Sequence, residues 1–128
     1  MLLTILRTKI HRATVTETNL DYIGSVTIDA NLIKAAGIFE YEKILVVNVS
    51  NGNRLETYCI SGEPGSGIIC LNGAAAHLAS VGDIVILMSF CSLTPLEAMN
   101  HKPTILRVNN KNQPVGLSSQ EDAGTTFP

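Results

Sequence analysis

The stretch that most constrains this chain is residues 43–60. An aliphatic, β-branched run, Lys-Ile-Leu-Val-Val-Asn-Val, is followed by Asn51-Gly52 and then by a second extended run from Arg54. Asn-Gly tolerates the positive φ angles of a tight hairpin turn, so the segment predicts two antiparallel strands, 43–49 and 54–60. The same pattern of short β-rich runs between turn residues recurs along the chain. Residues 2–15, 25–28, 68–71, 84–90 and 104–108 read as further strands. Glu63-Pro64-Gly65-Ser66-Gly67 and Val81-Gly82-Asp83 read as turns. Residues 84–90 are apolar on both faces, which predicts a central strand. Many short strands and few helices favour a small β-barrel.

The helices are short. Asp29 can cap a helix over 31–36 that Gly37 ends, with Leu32, Ile33 and Ala36 on its buried face. Residues 74–79 (AAAHLA) are a second candidate. Thr94-Pro95-Leu96-Glu97 carries a capping box with proline at the first helical position. At 128 residues the chain suits one compact domain. Apolar residues thin out after Gly116, so residues 1–116 are expected to form the domain and 117–128 a frayed tail.

Charge and composition exclude several functions. With 9 Lys+Arg against 11 Asp+Glu, the net charge of -2 advertises neither a nucleic-acid groove nor a polybasic membrane patch. Trp is absent, which argues against a stacking platform for single-stranded nucleic acid. The longest apolar run, 84–93, is half a membrane span. Cys59, Cys70 and Cys91 are odd in number, and no CxxC or HExxH spacing occurs. Neither a disulfide framework nor a metal site is therefore expected, and a reducing, cytoplasmic setting fits.

A few segments could carry chemistry. Arg7, Lys9 and His11 alternate along the first strand and would share one face, either a solvated face or an anion-binding wall. Gly24-Ser25 is an ordinary turn pair, yet a serine hydroxyl beside a strained peptide can attack the preceding carbonyl. Arg54, Glu56 and Tyr58 would share a face of the strand 54–60. Arg suits carboxylate binding and Tyr proton donation, although an exposed Arg–Glu pair beside a packing tyrosine is the commoner arrangement. Asn72-Gly73-Ala74-Ala75-Ala76 leads from strand to helix, where free N–H groups can meet an anionic oxygen or merely form a turn. Thr57 falls on the face opposite Arg54 and Tyr58. The three converge only if the strand is twisted or bulged, or if the site lies between subunits. A serine hydrolase using Ser25 with His11 or His77 lacks the GxSxG elbow, and Ser25 precedes a strand rather than a helix.

Taken in order, KIHRATVT at 9–16, LDYIGSVTID at 20–29, AAGI at 35–38, VSNGNRLETY at 49–58, NGAAAH at 72–77 and VGDIVI at 81–86 resemble the pyruvoyl-dependent aspartate 1-decarboxylase family. The resemblance spans 3–108. It implies a six-stranded double-psi β-barrel, assembled as a homotetramer with active sites at subunit interfaces. It also implies self-cleavage between Gly24 and Ser25 into residues 1–24 and 25–128, with Thr57 and Asn72 assisting. Ser25 becomes a covalent pyruvoyl group, which forms a Schiff base with L-aspartate and takes the electron-sink role of pyridoxal phosphate; neither pyridoxal phosphate nor a metal is implied. Tyr58 is then the proton donor. Lys9, Arg54, Thr57, Gly73, Ala74 and Ala75 bind substrate, and His11 and Tyr22 stand behind them. The implied products are CO₂ and β-alanine, a pantothenate precursor. Two readings compete with this one. Glutamate or another small acidic amino acid is an alternative substrate, because one methylene is discriminated only modestly by packing. A catalytically silent barrel that binds a small anion or a protein partner is an alternative of another class.

Overall fold

Asn51-Gly52 does turn the chain, with Gly52 at φ 79°, and the strands around it pair antiparallel from Val47↔Arg54 to Lys43↔Tyr58. The computed structural model describes residues 1–126 of the 128. Its strands are β1 Leu3–Thr14, β2 Glu17–Asn19, β3 Ser25–Asp29, β4 Lys43–Asn48, β5 Arg54–Gly62, β6 Ile69–Asn72, β7 Ile84–Leu93, β8 Thr104–Val108 and β9 Pro114–Ser118. Two α-helices, α1 Ala30–Ala36 and α2 Pro95–Met99, and a 3₁₀ helix over Gly73–Leu78 complete the mainly β fold.

The strands form one sheet in the order β2-β6-β3-β5-β4-β7-β1-β8-β9. Six neighbours, β6-β3-β5-β4-β7-β1, make its body. β2 and β1 lie near opposite ends of that order, yet only Val15 and Thr16 separate them along the chain. Val15 N bonds Asp83 O at 2.9 Å and Thr16 N bonds Ile69 O at 2.9 Å, so this short link ties one rim of the sheet to the other. A sheet whose ends are so joined must curl, which is the geometry of a small β-barrel. Inside the curl lie Ile10, Val26, Ile28, Ile44, Leu71 and Leu87, all fully buried. β7 sits between β4 and β1, as its apolar sequence predicts.

Local signals in the sequence set the helices. Asp29 accepts a hydrogen bond from Asn31 N at 2.8 Å, and Gly37, at φ 69°, ends α1 over buried Leu32, Ile33 and Ala36. The Asp29 carboxylate also receives Gly65 N at 3.1 Å and Gly67 N at 2.8 Å, which fastens the 63–67 turn to the start of α1. Thr94 and Glu97 close the expected capping box on α2. The AAAHLA segment winds as a tight 3₁₀ helix rather than an α-helix.

Other features depart from the sequence reading. β9 carries the sheet to Ser118, past the boundary expected at 116. β1 is not a regular strand. Its pairing with β7 shifts between Leu6 and Thr8 and again between Ile10 and Ala13, and Arg12 takes φ 61°. Lys9 and His11 keep the expected shared face, because Thr8–His11 pairs with β8 without a shift, whereas Arg7 falls at the first irregularity; Arg7 and Lys9 meet separate carboxylates. Arg7 binds Glu42 through Nε at 3.0 Å and Nη2 at 2.5 Å, while Lys9 Nζ lies 2.7 Å from Glu121. Burial alone would raise the Glu42 carboxyl. Hydrogen bonds from Arg7, Ser89 and the Phe39 amide outweigh it and hold the group below its ordinary value.

Candidate active site

Ser25 opens β3 opposite Asn72, the last residue of β6. Its side chain has no solvent exposure. Asn72 Nδ2 donates to Ser25 Oγ at 2.8 Å and to Thr27 Oγ1 at 2.9 Å. Ser25 Oγ donates in turn to Ile23 O at 3.1 Å, so the hydroxyl lies back against the peptide that carries Gly24. Below that peptide, Gly73 turns at φ +65°. A Cβ on Gly73 would stand 2.8 Å from Gly24 Cα and 3.0 Å from Gly24 N, so only glycine permits this approach.

A cavity of ≈ 410 Å³ opens beside these groups. Gly24, Thr57, Tyr58, Asn72, Ala74 and Ala75 line it, together with Glu56, which the sequence placed on a face with Arg54 and Tyr58, and with Leu55 and Leu78, which sequence reading did not single out. Thr57 and Tyr58 both reach it although they alternate along β5. The β4–β5 ladder runs through residues 54–58 without a register shift, so no bulge is required. The reason lies in the other edge of β5. β3 takes up that edge only from Cys59 onward, and the 3₁₀ helix packs beside β5. A cavity at an open strand edge is reached from both faces of the strand.

Over residues 1–115 the chain matches the family model described as aspartate decarboxylase.

The chain belongs to the aspartate decarboxylase family.

It is 59% identical over 122 residues to the aspartate 1-decarboxylase of Caldicellulosiruptor bescii, with 95% of each chain covered. Identity to that of Clostridium botulinum (strain 657 / Type Ba4) is 56% over 124 residues, covering 97% of this chain and 98% of the other. Identity to that of Corynebacterium efficiens is 54% over 128 residues, covering 100% and 93%.

In this family member the remaining expected residues lie outside the cavity lining. Gly73 packs beneath Gly24. Tyr22 is exposed in the loop before it. Arg54 is exposed at the head of β5. Lys9 is partly buried and paired with Glu121. His11 is partly buried in β1. Burial, then the charges of Lys9 and Arg12, lower its pKa, so the ring is neutral at pH 7. Among the lining residues the one formal charge is the carboxylate of Glu56, which pairs with Lys43 at 2.8 Å. Tyr58 rests against Tyr41, with ring centroids 6.2 Å apart. Asn72 precedes the 3₁₀ helix but does not cap it, because its amide is committed to Ser25 and Thr27. Thr27 and Cys70, which complete the surroundings of Asn72, had been given no role at the site from the sequence. Their only signal is a spacing of two from Ser25 and from Asn72. Among the described residues no group of three or more His, Cys, Asp or Glu could hold a metal ion, and no helix is long and apolar enough to cross a membrane.

Proposed function

We propose that this chain is an aspartate 1-decarboxylase that makes a pyruvoyl group from its own Ser25 and converts L-aspartate to β-alanine and CO₂, a step that supplies pantothenate biosynthesis. The observation that carries the reading is the buried Ser25 hydroxyl, held between Asn72 Nδ2 and Ile23 O beside Gly24 at the wall of the cavity. A serine so placed fits the group, since its oxygen needs only a short movement to reach the Gly24 carbonyl.

Ser25 Oγ forms a bond to the Gly24 carbonyl carbon, the Gly24–Ser25 C–N bond breaks, and the nitrogen takes the hydroxyl proton. The Ser25 Cα then loses a proton, the Cβ–Oγ bond breaks, and Gly24 leaves as a carboxylate. Water replaces the nitrogen, which departs as ammonia. Thr57, on the cavity wall, is the proposed donor to the oxyanion on Gly24.

The pyruvoyl carbonyl supplies an electron sink for the pair left when CO₂ departs. The chain's own residues bind and orient. Ala74 and Ala75, with no bulk beyond Cβ, leave room for backbone contact with substrate beside Thr57. Leu55 and Leu78 give the cavity apolar walls that disfavour water. Tyr58 delivers a proton to carbon. L-Aspartate carries two carboxylates, whereas the lining offers no cation. That mismatch supports a homotetramer with interfacial sites, in which Lys9 and Arg54 meet the carboxylates and His11 and Tyr22 stand behind them. The free cysteines Cys59, Cys70 and Cys91 suit a cytoplasmic setting.

Denaturing mass spectrometry of the aged protein tests the reading. Fragments 1–24 and 25–128 are expected, the longer without an ordinary amino terminus, and the protein should release CO₂ from aspartate. Ser25→Ala should remain one chain. An intact wild-type chain that releases no CO₂ would overturn the proposal in favour of a silent binding barrel.

A further inference from the structure

Asn72 can place either its amide nitrogen or its amide oxygen toward Ser25, and only the nitrogen can donate. The neighbouring groups decide between them. Cys70 and Asn72 project from one face of β6, two residues apart, and the β3–β6 register sets Ser25 opposite Asn72 and Thr27 opposite Cys70. Four polar side chains thus form a cross-strand square. Ser25 Oγ and Thr27 Oγ1 accept the two Nδ2 protons at 2.8 and 2.9 Å, and Cys70 Sγ donates to Asn72 Oδ1 at 3.0 Å. With the amide reversed, Nδ2 would face the thiol. Oδ1 would then capture the Ser25 proton that now goes to Ile23 O. Burial, then the charge of Glu17 and a side-chain hydrogen bond with it, push the Cys70 thiol up to about 11, so the thiol keeps its proton at neutral pH, with Asn72 Oδ1 and the Glu17 carboxylate as its two acceptors.

We propose, on the reading that Ser25 is processed, that Cys70 and Thr27 are positioning residues for the cleavage: they hold the Asn72 amide with its nitrogen, not its oxygen, toward Ser25 Oγ. The consequence falls on Oγ at two moments. Negative charge develops there as the hydroxyl gives up its proton while the Oγ–C bond to Gly24 forms. It develops again when the Cβ–Oγ bond breaks and Oγ leaves within the Gly24 carboxylate. A fixed N–H donor stabilises both, and a carbonyl oxygen in its place would oppose both.

The test follows cleavage of freshly made full-length protein by denaturing mass spectrometry, alongside the melting temperature of each variant. Thr27→Val removes the acceptor and keeps the shape, whereas Thr27→Ser keeps the acceptor. Cys70→Ala removes the donor, whereas Cys70→Ser keeps one. Thr27→Val and Cys70→Ala should each slow cleavage about tenfold, the worth of one hydrogen bond, and the two serine variants should cleave near the wild-type rate. Equal rates in all four overturn the inference. So do rates that follow melting temperature rather than the presence of the hydroxyl or the thiol. If Thr27→Val fails to fold, the Cys70 pair decides alone. A wild-type chain that never cleaves defeats the processing reading itself, a result distinct from variants that cleave as fast as a cleaving wild type.

Discussion

Gly73→Ala probes the contact between the 3₁₀ helix and the proposed scissile residue. Two penalties apply. Gly73 has φ +65°, and an alanine in left-handed backbone costs roughly 1–2 kcal/mol. The new Cβ would also lie 2.8 Å from Gly24 Cα, 3.0 Å from Gly24 N and 3.2 Å from Tyr22 O. All three are backbone atoms and cannot swing aside as a side-chain tip can, so overpacking adds about 1–3 kcal/mol. The sum is about 2–5 kcal/mol. Gly37→Ala is the control, because Gly37 has φ +69° and nothing within 4 Å of its added Cβ. It should cost only the roughly 1–2 kcal/mol of the backbone term. Urea denaturation on a Ser25→Ala background compares the two in chains that stay whole. In chains that retain Ser25, Gly73→Ala should also slow cleavage about a hundredfold, since relief of the clash displaces Gly24 from the hydroxyl. A Gly73→Ala chain that is as stable as Gly37→Ala and cleaves at the wild-type rate would refute the claim that this contact positions Gly24.

Other expectations follow from the same geometry. Tyr58→Phe should still cleave, yet its turnover of aspartate should fall at least a hundredfold in a CO₂-release assay, the usual loss for a general acid; normal turnover would remove Tyr58 from that role. Asp29→Ala strips acceptors from the amides of Asn31, Gly65 and Gly67 and should lower stability by about 3 kcal/mol in urea melts. The Glu42 carboxyl is held below its ordinary value of 4.5 in the folded protein, so its contribution is complete above that pH and is lost as pH falls through the lower folded value. Between about pH 6 and pH 3 the wild type should therefore lose more stability than Glu42→Gln, and parallel curves would contradict the assignment.

Short-range features of this fold were legible in the sequence because their causes are local. Asp29 and Gly37 bracket α1, Thr94 and Glu97 cap α2, and Asn51-Gly52 turns the hairpin, each through atoms only a few residues apart. The parallel pairings β1–β8, β2–β6 and β3–β5 join segments far apart in the chain, and no turn residue announces them. The site shows the same division. Strict alternation placed Thr57 away from Tyr58, but alternation describes the faces of a strand, and the cavity lies at an edge. The partners of Arg7 and Lys9 escaped for a related reason: Glu42 and Glu121 lie 35 and 112 residues away, and the irregularity in β1 at Arg7 has no sequence signature. Cys70 was counted among three cysteines with no assigned role. Its contact with Asn72 depends on a cross-strand register that only the folded sheet reveals.

The threading of β1 bears on what scission would do to the molecule. Residues 1–24 contain β1, laced between β7 and β8, and β2, laid along β6. A cut after Gly24 would sever the polymer without loosening the object, because the short peptide could leave only by unzipping ladders on both of its flanks. Recovery from denaturant would then differ in kind before and after the cut: an intact chain refolds on its own, whereas two pieces must first find each other, so their renaturation would slow on dilution.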